Sequence, residues 1–242
     1  MHLKLILEYK GTDFHGFQKQ PGKRTVQGEI EKALYKIFGK EIKTTGAGRT
    51  DAGVHAKMQV VSFEAEKIKI SLYRLQKALN YHLPSDIRVK ITRKALPGFH
   101  PRFSAKEKTY RYYVCRREVL SPFLKDYVYH FPYKLDQRLM KSSLYHFGGR
   151  RDFRAFQASG SSQKTTTCNM KDINIRKTRE GFYIEITADR FLYKMARKIA
   201  GTIIETGRKK ISLSDMEHIF AGKIKPGATA PAQGLFLWKI SY

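Results

Sequence analysis

Acidic residues are scarce in this chain. Asp and Glu number 21 against 47 Lys and Arg, a formal net charge of +26 at pH 7, and the cations are spread through both halves. A folded chain with that excess repels itself, and a polyanionic partner is the natural compensation. A merely solvated basic surface is strained at this size. Cysteine is nearly absent: Cys115 and Cys168 are the only two, and neither has metal-ligand spacing around it. That excludes a disulfide scaffold and points to a reducing, cytoplasmic compartment. Long apolar runs are missing as well. Leu3–Leu7 is broken by Lys4 and followed by Glu8 and Lys10, so no segment reads as a signal peptide or a membrane span. No basic amphipathic helix with exposed apolar residues is clear, so nucleic acid is a better polyanion here than a membrane surface.

The familiar catalytic signatures are also lacking. Gly46-Ala47-Gly48-Arg49-Thr50-Asp51 has Asp where a dinucleotide fingerprint needs its last Gly, and no Walker lysine follows. Eight histidines are scattered without pairing at helical spacing, and no Gly-x-Ser-x-Gly or reactive cysteine setting appears. What remains is a carboxylate as the chemical group, with basic and aromatic residues suited to RNA.

What is present is an ordinary globular mixture, 242 residues with 41% hydrophobic and 12% aromatic, enough to bury a core in one large domain or two smaller halves. It is organised around Gly46–Ala56, where three glycines and three alanines surround Arg49, Thr50, Asp51 and His55. Small residues let the backbone turn sharply and let another molecule approach closely. A carboxylate beside an arginine there can be held ionised and serve as a nucleophile. The plainer alternative is a surface turn whose Asp bonds its own backbone.

Along the first half, residues 3–9 alternate as a strand and 9–22 read as a long loop. The loop mixes glycines, aromatics and amides, a composition suited to RNA contact as well as to turns. Thr25 caps a helix carrying Val26, Ile30, Leu34 and Ile37, ended by Gly39. Met58–Glu64 is a strand, Ser71 caps a second helix stopped by Pro84, and Ile87–Thr92 is another strand. In the second half Thr109–Cys115 alternates, placing Tyr110, Tyr112 and Val114 on one face. A helix through Leu135–Phe147 stops at Gly148. Residues 150–156 and the polar run 158–167 read as loop. Strands Asp172–Arg176 and Phe182–Thr187 follow, then a long helix whose stripe runs from Leu192 to Ile203 and ends at Gly207. A short helix near 213–221 and a strand, Leu235–Ser241, complete the pattern. The division expected is 1–100 and 101–242, two related α/β halves. On periodicity Tyr110 is a core aromatic, although it could also stack a base taken out of its helix. Arg197 lies off its helix's apolar stripe, which leaves it in solvent.

Gly48-Arg49-Thr50-Asp51-Ala52-Gly53-Val54-His55-Ala56 resembles the active-site motif of TruA-type tRNA pseudouridine synthases. Companion blocks follow in that family's order: Tyr9-Lys10-Gly11-Thr12 with Phe14, Gly16, Gln18 and Gln20; Thr25-Val26-Gln27; Leu83-Pro84-Ser85-Asp86-Ile87; Arg102-Phe103-Ser104-Ala105; Lys108-Thr109-Tyr110-Arg111-Tyr112; Phe191-Leu192-Tyr193 with Met195 and Arg197; and Pro231-Ala232-Gln233-Gly234-Leu235. The resemblance implies an α+β pseudouridine synthase fold, with two similar halves forming a central mixed, mostly antiparallel sheet flanked by helices and a basic cleft. It implies a homodimer that isomerises uridine in the tRNA anticodon stem-loop, positions 38–40, without cofactor. By the same resemblance Asp51 is the nucleophile, Arg197 pairs with it, Tyr110 packs against the target base, and Arg49 helps flip or replace that base. Lys10, Phe17, Lys194 and Arg151 stand where the family often has Asp, Trp, His and His. A paralogue acting on ribosomal RNA and a non-catalytic RNA-binding protein on the same scaffold are the alternatives.

Overall fold

Strict alternation shapes the first strand. In β1 (His2–Tyr9) the side chains of Leu3, Leu5, Leu7 and Tyr9 are buried and those between them stay partly accessible, the period of a sheet with one covered face. The computed structural model describes residues 1–66, 70–160 and 165–242. The chain divides into two units, Met1–Lys106 with Phe236–Tyr242, and Glu107–Leu235. The fold class is α+β, and each unit has a mixed, mostly antiparallel sheet flanked by helices.

In the first unit β1 is followed by α1 (Val26–Phe38), β2 (Thr44–Gly46), β3 (His55–Glu64), α2 (Leu72–His82) and β4 (Ile87–Lys94). β1 lies between β3 and β4, antiparallel to both, and β2 pairs with β3. Both helices start where their caps place them. Thr25 Oγ1 accepts from the Gly28 N–H at 3.3 Å and Ser71 Oγ from the Arg74 N–H at 3.2 Å, each worth about 1 kcal/mol. Gly39 closes α1 in the left-handed conformation, φ 68°, which glycine adopts without a Cβ penalty. Val26, Ile30 and Leu34 of α1 and Leu75 and Leu79 of α2 are buried.

The second unit runs β5 (Glu107–Cys115), β6 (Tyr129–His130), α3 (Gln137–Leu144), β7 (Gly149–Asp152), β8 (Thr167–Lys177), β9 (Gly181–Ala188), α4 (Met195–Gly207) and α5 (Asp215–Phe220). Its strands order as β5-β9-β8-β7, antiparallel throughout, with β6 parallel on β5. α3 packs against α4.

Three expectations are corrected here. Residues 150–156 are not loop: Arg150–Asp152 belong to β7, paired with β8, and Arg154–Phe156 form a 3₁₀ turn. Phe153 and Phe156 are fully buried, packed with Phe147 and Phe220 in edge-on or tilted contacts at centroid distances of 5.1–6.0 Å. Of the polar run 158–167, residues 161–164 lie outside the described residues and Thr167 opens β8. The long helix begins at Met195 rather than near Leu192, because Lys194 before it takes a left-handed φ of 60°.

The chain then returns to the first unit. β10 (Leu235–Ser241) pairs parallel with β3 through Phe236 opposite His55 and Leu237 opposite Ala56. Among the described residues no helix is long and apolar enough to cross a membrane.

Candidate active site

Gly46–Ala56 connects β2 to β3. The Ala47 N–H donates to Val60 O at 2.8 Å, and the Val54 N–H donates to Asp51 O at 3.2 Å, closing a turn over Asp51–Val54. Gly53 lies in that turn with φ 79°, a conformation other residues reach only with strain. Asp51 therefore sits at the head of a hydrogen-bonded turn, half-buried, with Arg49 exposed two residues before it.

The turn rests on the loop that follows β1. The Phe17 N–H donates to Thr50 O at 3.0 Å, the Gly53 N–H to Phe14 O at 3.4 Å, and the Gly11 N–H to His55 Nδ1 at 2.9 Å. Gly11 is required by space: a Cβ there would lie 2.0 Å from Val54 O. The loop is in turn joined to α1, whose Val26 and Gln27 N–H groups donate to Gly16 O at 3.2 Å and Phe17 O at 2.9 Å. Phe14 and Phe17 are buried, and their backbone groups hold the Asp51 turn. His55 is also buried, stacked on Phe236 at 4.6 Å. Because its Nδ1 accepts a hydrogen bond, that nitrogen carries no proton.

Behind the turn lies a polar network in an otherwise apolar core. Tyr9 Oη and Thr50 Oγ1 share a hydrogen bond of 2.8 Å. Gln59 Nε2 donates to Gly48 O at 2.8 Å and, more distantly, to Tyr9 Oη at 3.5 Å. All three side chains are buried, and burial pushes the Tyr9 phenol up to about 12.

The other two expected site residues belong to the second unit. Tyr110 on β5 is only 7% exposed, with its ring edge-on to Phe191 at 4.7 Å; the periodicity placed it correctly on the covered face. Arg197 on α4 is corrected: it is half-buried rather than left in solvent. Its Nε donates to Ala230 O at 2.8 Å, and its own carbonyl accepts from the Ala230 N–H at 3.2 Å. Tyr112 Oη donates to the next carbonyl, Pro231 O, at 2.9 Å. This segment comes so close to α4 that a Cβ on Gly201 would fall 1.8 Å from Ala228 O. Arg197 is thereby fixed by a backbone segment thirty-three residues away in sequence, which no periodicity could reveal.

Gln59 is the network member that sequence reasoning passes over. Its signal is slight, a lone amide followed by Val60 and Val61 in a strand whose neighbours are buried. Among the described residues no group of three or more His, Cys, Asp or Glu is arranged to hold a metal ion. Within the first unit, a carboxylate on a braced turn with Arg49 exposed two residues before it suits acid–base or nucleophilic chemistry.

Comparison with known proteins gives these residues a context. The family model described as tRNA pseudouridine synthase matches residues 5–104 and 144–242. A protein of Geobacillus sp. (strain WCH70) named tRNA pseudouridine synthase A is 42% identical over 243 residues, covering 99% of this chain and 98% of the relative. One of the same name from Thermodesulfovibrio yellowstonii is 41% identical over 255 residues and covers 100% of both chains. Another from Bacillus subtilis (strain 168) is 40% identical over 246 residues, covering 100% of this chain and 99% of its own. With a match that runs the length of the chain and takes in the Asp51 turn, the β5 tyrosines and α4 alike, this chain belongs to the tRNA pseudouridine synthase family.

Proposed function

We propose that the protein isomerises uridine to pseudouridine in tRNA, in the anticodon stem-loop at positions 38–40, with Asp51 as the nucleophile. The observation that carries this reading is the Asp51 turn itself: a carboxylate on a short, glycine-hinged turn that is hydrogen-bonded from below and from behind. Such support favours a group that must keep one orientation while a substrate reacts.

The reaction breaks the bond from ribose C1′ to base N1 and makes one from C1′ to C5. The Asp51 carboxylate either attacks C1′, forming an ester to the sugar, or assists removal of the neighbouring C2′ proton to give a glycal. The detached uracil takes up the electron pair of the broken bond and rotates. Its C5 then bonds to C1′ while the bond to Asp51 breaks, or the glycal is reprotonated at C2′. The C5 hydrogen leaves as a proton, and N1 gains one. No atom is added or lost, so no redox partner is needed. In this reading Arg197 holds the Asp51 carboxylate ionised, Tyr110 packs against the target base, and Arg49 helps flip that base or fills its place. Residues 1–100 supply the nucleophile and 101–242 complete a basic cleft. The net charge of +26 supports an RNA partner. A homodimer in the cytoplasm completes the proposal.

Asp51→Asn tests it. The variant should lose release of the uracil C5 hydrogen from labelled tRNA while binding tRNA with nearly unchanged affinity. Undiminished release would overturn the assignment.

A further inference from the structure

We infer that Tyr9, Thr50 and Gln59 are positioning residues for the reaction: a buried hydrogen-bond chain that sets where Arg49 and Asp51 point. The inference rests on the role of Asp51 proposed above. The stretch Gly48–Asp51 has no regular secondary structure, so its side-chain directions are not fixed by a ladder. Instead alternate positions are held from inside. Gly48 is gripped by its carbonyl, which accepts from Gln59 Nε2 at 2.8 Å. Thr50 is gripped twice, through Oγ1 by Tyr9 at 2.8 Å and through its carbonyl by the Phe17 N–H at 3.0 Å. With Thr50 turned in, Arg49 is exposed and Asp51 half-buried.

One hydrogen bond of the chain has a fixed direction: Gln59 Nε2 can only donate, so Tyr9 Oη accepts from it at 3.5 Å, while the Tyr9 and Thr50 hydroxyls share the next bond at 2.8 Å. Tyr9 is the last inward residue of β1, and Gln59 is held in β3 by pairing with Leu7. The chain therefore ties the turn to two paired strands, β1 and β3. A phenol, a hydroxyl and an amide are buried together here where three apolar residues would pack, and each demands a partner once removed from water.

Single-turnover release of the C5 hydrogen at saturating tRNA, measured with tRNA affinity and melting temperature, tests the inference. Tyr9→Phe and Thr50→Val remove one hydroxyl each. Each should slow the chemical step by about ten- to a hundredfold, the scale of a small misplacement of a reacting group, with tRNA affinity within about twofold. Thr50→Ser should recover most of the rate lost in Thr50→Val. The double variant should be no slower than the slower single, because both hydroxyls form one link. A wild-type rate in Tyr9→Phe, losses that multiply in the double variant, or no recovery with Thr50→Ser would overturn it. Asp51→Asn measured alongside separates the two readings. An unchanged rate there overturns the nucleophile assignment, whereas loss there with a wild-type rate in Tyr9→Phe overturns only the positioning chain.

Discussion

Replacing Gly11 with alanine adds one methyl group at the point where the loop after β1 meets the Asp51 turn. That methyl carbon would sit 2.0 Å from Val54 O and 2.5 Å from Val54 C. Both are backbone atoms, so no side chain can swing aside. The turn and the loop must separate, and separation stretches the 2.9 Å bond from the Gly11 N–H to His55 Nδ1. Overpacking costs about 1–3 kcal/mol, and the loss of a buried hydrogen bond about 0.5–1.5 kcal/mol more. At about 2–4 °C per kcal/mol for a chain of this size, melting should fall by roughly 3–18 °C. Gly22 is the control. It has φ 64° but nothing within 4 Å of its would-be Cβ, so Gly22→Ala meets only the left-handed penalty, about 1–2 kcal/mol. Calorimetric scans of the two variants beside the parent protein read the difference directly. C5-hydrogen release below both melting points should also be lower in Gly11→Ala, because the displaced atoms belong to the turn that carries Asp51. A Gly11→Ala protein that melts with the parent, or above Gly22→Ala, would refute the argument that contact distance fixes glycine here.

Two further outcomes are expected. Gly201 lies inside α4, where alanine ordinarily stabilises a helix by about 1 kcal/mol. With Ala228 O 1.8 Å from the new Cβ, Gly201→Ala should instead destabilise by about 1–3 kcal/mol, and a urea midpoint at or above the parent's would contradict this. The Tyr9 phenol, raised from 10.0 to about 12 by burial, contributes stability that is intact below pH 10 and lost as pH rises through 12. Two pH units at about 1.4 kcal/mol each amount to about 3 kcal/mol. Tyr9→Phe should remove that part of the alkaline slope, while the Tyr112 and Tyr242 phenols, also raised by burial, keep the remainder. Parallel profiles of urea stability between pH 9.5 and 12 would count against a buried, protonated Tyr9.

Elements whose signals are local were legible in the sequence. Thr25, Gly39 and Ser71 marked helix ends because caps act within one turn, and alternation placed Tyr110 and Tyr112 inward. Elements that depend on a distant partner were not. β2 and β6 are too short to show a period and exist only by pairing with β3 and β5. Arg150–Asp152 carries three charged residues in a row, and only its pairing with β8 makes it a strand. Leu192 continues the apolar stripe of α4, yet the left-handed Lys194 keeps it out of the helix. At the site, the motif around Asp51 was visible, but not what supports it. Gln59 reaches Gly48 across the turn, and Ala230 meets Arg197 from a separate segment; tertiary contact alone creates both.

The return of β10 to the first unit has a consequence for how the protein is made. Met1–Lys106 lacks one of its own strands until Glu107–Leu235 has been synthesised. Until then His55 and Ala56 have no parallel partner on that side, and the His55 ring has no Phe236 to stack on. On the ribosome the second unit can therefore close before the first, although the first emerges earlier. The segment bearing Asp51 is thus completed late, once Phe236–Tyr242 has been made, and a ribosome stalled before Phe236 displays an unfinished edge of β3.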